Sequence, residues 1–496
     1  MRKKLLAWNT FSSLLYQVSA IICGFILPRL ILEHFGSDVN GLIHSITQFL
    51  QVIAFLELGV GAVVQSALYK PLAEKNHIET SKILASANKF FRKLAVILAV
   101  YVVVLIVVYP TIANQNFDFW FIGTLILAMS INSFAQYYFG IVNSLLLMAD
   151  QHSYVNYLLQ TVSIVVNTTV CAILIKLNAS IQMVKFTTSI IYLVRPLILQ
   201  IYVNRHYQIN KKIEYSVEPI KQKWNGIAQH IAAIVLDGTD YIVLTIFATL
   251  SDVSIYAVYN LVIYGVKQLF MAMTNGIQAL LGELWAREDR ERLLKTFGLI
   301  EWTIHSGVTF IFGCTGLLIV PFITVYTSGV TDAVYFQPLF ATLITLATAS
   351  HCLRLPYNMM IKAAGHYKET QVNYIVAAIL NIVISIASVK IWGLVGVAIG
   401  TLISMAYQTV WMVWYNSKNI LLWPAKNVLK QIAVDVSVIV LSIFATQWIQ
   451  ISNVSYLSWV IMATIVTLIT GGIWLVVNCI FYWNNINIII QRMRRQ

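Results

Sequence analysis

Residues Leu236 to Leu281 read LDGTDYIVLTIFATLSDVSIYAVYNLVIYGVKQLFMAMTNGIQALL, and the reading of this stretch decides the fold. Two apolar runs flank the short link Ala248 to Val253, each long enough to cross about 30 Å of hydrocarbon as a helix. The first carries Asp237 and Asp240, three residues apart and so on one helical face. The second sets Asn260, Tyr264, Lys267, Met271, Thr274 and Gln278 at alternating steps of 4 and 3, a polar-leaning stripe down an apolar helix. Inside a membrane such a stripe faces other protein or a water-filled space, not lipid. Leu27 to Leu68 has the same plan, with His44, Gln48, Gln51, Phe55 and Gln65 as its stripe. The expectation is two related halves with a cavity where they meet.

The whole chain agrees with this. Of its 496 residues 59% are hydrophobic and 11% charged, and the mean hydropathy is +0.75. Soluble domains are roughly 45–50% apolar and about a quarter charged. Runs of about 20 apolar residues recur from end to end, whereas the alternating segments of about ten residues that mark a membrane β-barrel are absent. The fold class is therefore an all-α polytopic membrane protein. The five cysteines show no metal-like spacing with histidine and read as small hydrophobes. Met1 to Lys4 leads into a stretch broken by Asn9, Ser12, Ser13 and Gln17 with no small-residue cleavage site, which predicts a retained first span, not a signal peptide.

Apolar runs place spans near 8–32, 39–69, 94–112, 119–147, 154–176, 181–203, 225–249, 254–284, 297–328, 333–361, 371–390, 393–416, 428–449 and 455–482. With fourteen spans both termini share a side. If that side is the cytoplasm, 26 of the 33 Lys and Arg fall in inward segments, among them Lys70 to Lys93, Lys211 to Lys223, Arg287 to Lys295 and Arg492 to Arg495. This is the positive-inside pattern, and it predicts an N-in, C-in chain. The net charge of +13 then reflects orientation and anionic lipid, with no nucleic-acid partner implied. For the inward stretch 70–93 two readings stand: a short interfacial helix with Ile78, Leu84 and Phe90 on its apolar side, or a solvated loop.

An internal repeat is legible. Ser37-Asp38-Val39 matches Ser251-Asp252-Val253, Gln65 to Leu68 matches Gln278 to Leu281, and Ala149 to Tyr157 resembles Gly365 to Tyr374. Six spans separate the copies, so the halves share one orientation and an axis along the membrane normal. The expected organisation is an N-lobe over 1–210, a C-lobe over 211–420 and a C-terminal helix pair over 421–496.

Charge inside the spans is rare, at a cost of about 2.5–3.5 kcal/mol per group at a helix centre. In span 225–249 two aspartates cost roughly 5–7 kcal/mol, while ten Leu, Ile, Val and Phe residues return roughly 3–6 kcal/mol. That span needs neighbours or a wet cavity. Asp237, Asp240 and Lys267 are read as cavity-lining, against a structural ion pair between spans. Arg29, beside Pro28, either lines the cavity or snorkels to the headgroups. Arg354 lies in His351-Cys-Leu-Arg-Leu-Pro356, where Pro356 is positioned to kink span 10 and a cation suits a phosphate or an acidic sugar. Glu57, across the helix from the stripe, is expected to pair with a neighbouring helix. Asp435 and Glu301 receive no assignment. No phosphate loop, HExxH or Ser/His/Asp set occurs in a plausible context, which points away from an enzyme.

Several passages resemble the polysaccharide (Wzx-type) flippases of the multidrug/oligosaccharidyl-lipid/polysaccharide (MOP) superfamily. They are Leu27 to Gly41, Thr239 to Tyr256, and the turn Ala363 to Thr370. The resemblance implies two six-helix lobes plus two terminal helices, and alternating-access transport of undecaprenyl-pyrophosphate-linked oligosaccharides. Capsule, O-antigen or related wall polymers would be built from them in a bacterial cell membrane, alongside polysaccharide polymerase machinery. It implies a cationic cavity, with Arg29, Lys267 and Arg354 meeting pyrophosphate or acidic sugars among Gln48, Gln51, Asn260, Tyr264 and His351. No cofactor is expected beyond a coupling Na+ or H+ at Asp237 and Asp240, which depart from that cationic pattern and alternatively pair with Lys267. A lipid II flippase and a cation-coupled drug exporter of the same superfamily are the rival readings.

Overall fold

With no water to bond a peptide group in hydrocarbon, each span closes its hydrogen bonds internally, and the chain is helical without a strand among the described residues. The computed structural model describes residues 2–57, 59–113, 117–210, 213–220, 227–422, 424–451 and 453–494. Lys211, Lys212, Lys221, Lys223 and Arg495 of the topology argument lie outside these. So do the side chains of Arg2, Lys3, Lys4, Asp237, Arg492 and Arg494.

The first elements are α1 (Arg2–Gln51), α2 (Val60–Ala73), α3 (His77–Ile112), α4 (Phe119–Ala135), α5 (Ile141–Ala149), α6 (Ser153–Lys176) and α7 (Ile181–His206). The rest are α8 (Ile227–Phe247), α9 (Leu250–Ala286), α10 (Arg290–Tyr326), α11 (Pro338–Leu353), α12 (Leu355–Ala363), α13 (Tyr367–Tyr415), α14 (Ala425–Thr446) and α15 (Tyr456–Arg494). Polar caps start several of them: Asn76 accepts from Glu79 N at 3.0 Å, and Asp118 from Trp120 N at 3.1 Å. Thr249 and Asp252 cap each other's backbone N–H groups at 3.1–3.2 Å.

Eleven helices among the described residues are long and apolar enough to cross a membrane, against fourteen expected spans. The difference has a geometric source. Ala7–Glu57 has 51 residues and Tyr367–Ile420 has 54, so either would be about 75–80 Å long if straight, over twice the hydrocarbon thickness. Each is interrupted by a glycine outside helical geometry, Gly36 (φ 83°, ψ 175°) in α1 and Gly393 (φ 53°, ψ −128°) in α13. The apolar part of α8, Gly238–Phe247, is shorter than a span.

In α13 the break is a reversal, because residues equidistant from it meet. Ser388 donates to Gly396 O at 2.9 Å, Ser385 to Val397 O at 3.4 Å, and Asn381 to Thr401 Oγ1 at 3.1 Å. A Cβ on Gly396 would lie 2.9 Å from Val389 N, and one on Gly400 2.8 Å from Ser385 N. Only glycine lets the two backbones come this close.

Two sequence expectations are corrected. Span 39–69 is not one helix: α1 ends at Gln51, Val52–Glu57 is a 3-10 turn, and α2 starts after Gly59, whose φ of 72° is left-handed. The stripe from His44 to Gln65 therefore does not share one face. Stretch 70–93 is neither a separate short helix nor a loop, because α2 runs to Ala73 and α3 begins at His77 and continues unbroken to Ile112.

The chain packs as two compact units, Met1–Ile234 with Thr249–Ser254, and Val235–Ala248 with Ile255–Gln496. In unit 1, Asn9 of α1 donates to Gln151 O and accepts from Tyr154 N, both at 2.8 Å. Tyr109 of α3 donates to Ser45 at 2.6 Å, and Ser189 of α7 to Ala128 O of α4 at 2.6 Å. Within the same unit Ser251 donates to Asp38 at 2.6 Å and Asn40 to Ser254 at 2.7 Å. In unit 2 the last two helices pack on α10. His305 bonds Asp435 of α14 at 3.0 Å, and Trp302 and Ser306 donate to Asn478 of α15 at 2.9 and 3.0 Å.

Candidate functional site

Asp240 lies in α8 with its side chain buried. A carboxylate at that depth is tolerable only with donors around it, and three helix segments supply them. Tyr256 of α9 donates to Oδ2 at 2.8 Å, and Thr401 from the second arm of α13 to the same oxygen at 2.6 Å. Asn381 from the first arm donates to Oδ1 at 3.4 Å. Tyr241, the next residue, stacks edge-on against Tyr256 (4.7 Å) and accepts from Asn260 at 3.1 Å. The α13 hairpin is what brings Asn381 and Thr401 to one point.

Asn381 and Thr401 escaped the sequence reading. For Asn381 a signal was available: Asn373, Ala377, Asn381, Ser385 and Ser388 form a small and polar stripe at steps of 4, 4, 4 and 3. The Oδ1 of Asn381 is buried without a hydrogen bond among the described residues. A buried carboxylate held by an amide nitrogen and two hydroxyl groups is a hard-oxygen group whose charge a proton or a small cation would neutralise.

A second cluster in unit 2 is cationic. Arg354 caps the end of α11, and span 10 breaks there into α11 and α12, with Pro356 at the start of the latter. Its guanidinium is buried, reaching His351 Nδ1 at 2.6 Å and Met405 Sδ at 3.1 Å. Since an arginine only donates, Nδ1 is the acceptor and the imidazole carries its proton on Nε2. Lys267 of α9 is half-buried. The structure thus brings His351 and Arg354 together, while Asn260 is bound to Tyr241 and Tyr264 is exposed.

In unit 1, Arg29 follows Pro28 in α1 and lies 3.7 Å from Glu33 one turn on. Gln48 is half-buried and Gln51 exposed at the end of that helix. Glu57 accepts from Tyr137 at 2.5 Å, in the wide turn Gln136–Gly140 between α4 and α5. The expected pairing with a neighbouring segment is present, although Glu57 closes the 3-10 turn and does not lie across a helix from the stripe. Glu301 accepts from Tyr357, joining α10 to α12 beside the His305–Asp435 pair.

No family model matches the chain, and no curated protein matches its sequence. Its fold does have solved counterparts. The lipid II flippase MurJ, in an inward closed conformation, superimposes with a TM-score of 0.72 at 14% identity, over 96% of this chain and 100% of that one. An inward-facing multidrug resistance MATE family transporter of the MOP superfamily gives 0.60 at 12%, over 80% and 94%. The Vibrio cholerae MATE transporter VcmN gives 0.58 at 12%, over 85% and 98%. At these identities the likeness is one of fold: the chain is a multi-pass membrane protein with the architecture shared by MurJ and the MATE transporters. All three counterparts are flippases or transporters, and none is an enzyme.

Proposed function

We propose that the chain is a flippase of the MOP superfamily that carries undecaprenyl-pyrophosphate-linked oligosaccharide repeat units from the inner to the outer leaflet of a bacterial cell membrane. It works by alternating access, for export of capsule, O-antigen or another wall polysaccharide, and its product passes to polymerase machinery. The observation that carries this reading is the near full-length likeness to a lipid II flippase. The in-membrane cations support it, because Arg29, Lys267 and Arg354 are suited to a pyrophosphate or an acidic sugar. A drug exporter driven by cations would favour an acidic site with few bases.

Asp240, with Asn381, Thr401 and Tyr256, is the proposed site of the coupling cation or proton. Lipid II is the second reading of the cargo, favoured by the same structural counterpart.

Flipping of an undecaprenyl-pyrophosphate oligosaccharide in proteoliposomes tests the proposal. Lys267→Ala and Arg29→Ala should each reduce the rate about tenfold, the effect of losing ~1.4 kcal/mol of binding, with melting unchanged. Asp240→Asn should remove the dependence of the rate on a Na+ or proton gradient. Flipping of lipid II alone would establish the second reading. Uptake of a cationic dye without either lipid would defeat both.

A further inference from the structure

In unit 1 a cavity of about 850 Å³ opens beside α3, lined by Lys89, Arg92 and Lys93 and by Asn143, Gln200 and Asn210. It is a built pocket. Asn143 of α5 donates to Gln200 of α7 at 3.1 Å, and Gln200 donates on to Asn204 at 2.9 Å. The segment after α7 folds back to wall one side. Tyr207 donates to Asp150 at 2.6 Å, Asn210 N to Ser81 at 3.0 Å, and Ser86 to Glu218. Glu218 is thus already engaged, and among the described residues Lys89, Arg92 and Lys93 have no carboxylate within ion-pair reach. Arg92 rests over the Tyr138 ring at 5.0 Å, which fixes its position while leaving its charge in place.

The exposed face of α3 changes character at this point. Through Lys93 it is basic. From Val96 and Ile97, which also line the cavity, it continues as exposed Val100, Val103, Val104 and Val107. Exposed valines in succession belong in hydrocarbon and exposed basic residues in the headgroup layer, so the boundary crosses the cavity between 93 and 96. The positive-inside pattern assigns this to the cytoplasmic leaflet, where anionic lipids concentrate.

We propose that this cavity binds the phosphate headgroup of an anionic membrane lipid, whose acyl chains lie along Val96, Ile97 and Val100. The site lies wholly within unit 1 and is independent of what the protein transports.

The test is the lipid retained by the full chain, purified from mixed phosphatidylcholine and phosphatidylglycerol vesicles and weighed by native mass spectrometry. Lys89→Gln with Arg92→Gln and Lys93→Gln should lower retained phosphatidylglycerol about tenfold. The control, Lys70→Gln with Lys75→Gln and Lys82→Gln, removes equal charge from the same unit outside the cavity and should retain the lipid. An equal fall in both variants means general attraction to basic surface and overturns the site. Displacement of the lipid by inorganic phosphate, with Val96→Gln without effect, means a soluble anion and overturns the lipid assignment. If the triple variant loses its monodispersity, Arg92→Gln alone is read against Lys82→Gln by the same criteria.

Discussion

In unit 1, Asn167 and Cys171 lie one turn apart on α6, Cys171 donating to Asn167 at 3.3 Å and touching Thr188 of α7 at 3.3 Å. In unit 2, Asn381 and Ser385 lie one turn apart on α13, facing Thr401 and Val397 of the returning arm. These pairs are separated by the same 214 residues as Asn40 and Ser254. At that offset from Asp240, however, unit 1 carries Ile26. Both copies keep the polar rung between neighbouring helices, and one of them has a carboxylate on it. The comparison teaches that the rung is shared scaffold, a few uncharged bonds any membrane hairpin can hold, and that the proposed ion site differs from it by a single acid and its donors.

The most demanding trial of this contrast is to strip the donors. Tyr256→Phe with Thr401→Val leaves a buried carboxylate with two bonds missing, each worth about 1.5–3 kcal/mol to a charged group. Thermal unfolding in detergent should show a loss of about 3–5 kcal/mol. Adding Asp240→Ile, the residue unit 1 uses, should recover most of it, and a triple variant as unstable as the double would sink the idea.

A smaller effect is expected at Gly400, where the arms of α13 touch. Gly400→Val should cost about 1–3 kcal/mol by forcing them apart. At the same offset unit 1 holds Phe186, which is exposed, so Phe186→Val should leave the melting temperature where it is.

The smallest concerns the repeated turns. His152 N donates to Leu147 O at 2.8 Å after Gln151 (φ 60°), and His366 N to Ile361 O at 3.1 Å after Gly365 (φ 76°). The helix ends share one geometry, but only one has the residue that adopts it without strain. Gln151→Gly should stabilise the protein by up to about 1 kcal/mol, and a loss of stability would show that the glutamine side chain carries the turn.

What the sequence made legible is what hydropathy and turn chemistry encode: apolar runs, the repeated turns, and the isolation of Asp240 and Lys267 as charges needing company. The break at Gly59 was hidden because the residues around it stay apolar, and hydropathy records composition without φ. The partners of Asp240 were hidden because Thr401 is 161 residues away, and only the reversal at Gly393 makes it a neighbour. The His305–Asp435 pair joins helices 130 residues apart, which no local pattern announces. The cationic cavity needed the start of α3 at His77, since a loop over 70–93 would have scattered Lys89, Arg92 and Lys93 where the helix aligns them.

The close arms of α13 also bear on biogenesis. Every bond that zips them, from Ser388 with Gly396 to Asn381 with Thr401, joins residues within 20 positions of each other. The hairpin therefore needs nothing made after its own second arm. Contacts this local form before distant ones, so residues 367–415 can leave the translocon as one folded unit. Ser385 and Ser388 then enter the lipid with their bonds already made, and the place where Asp240 will dock is assembled before the last two helices are synthesised.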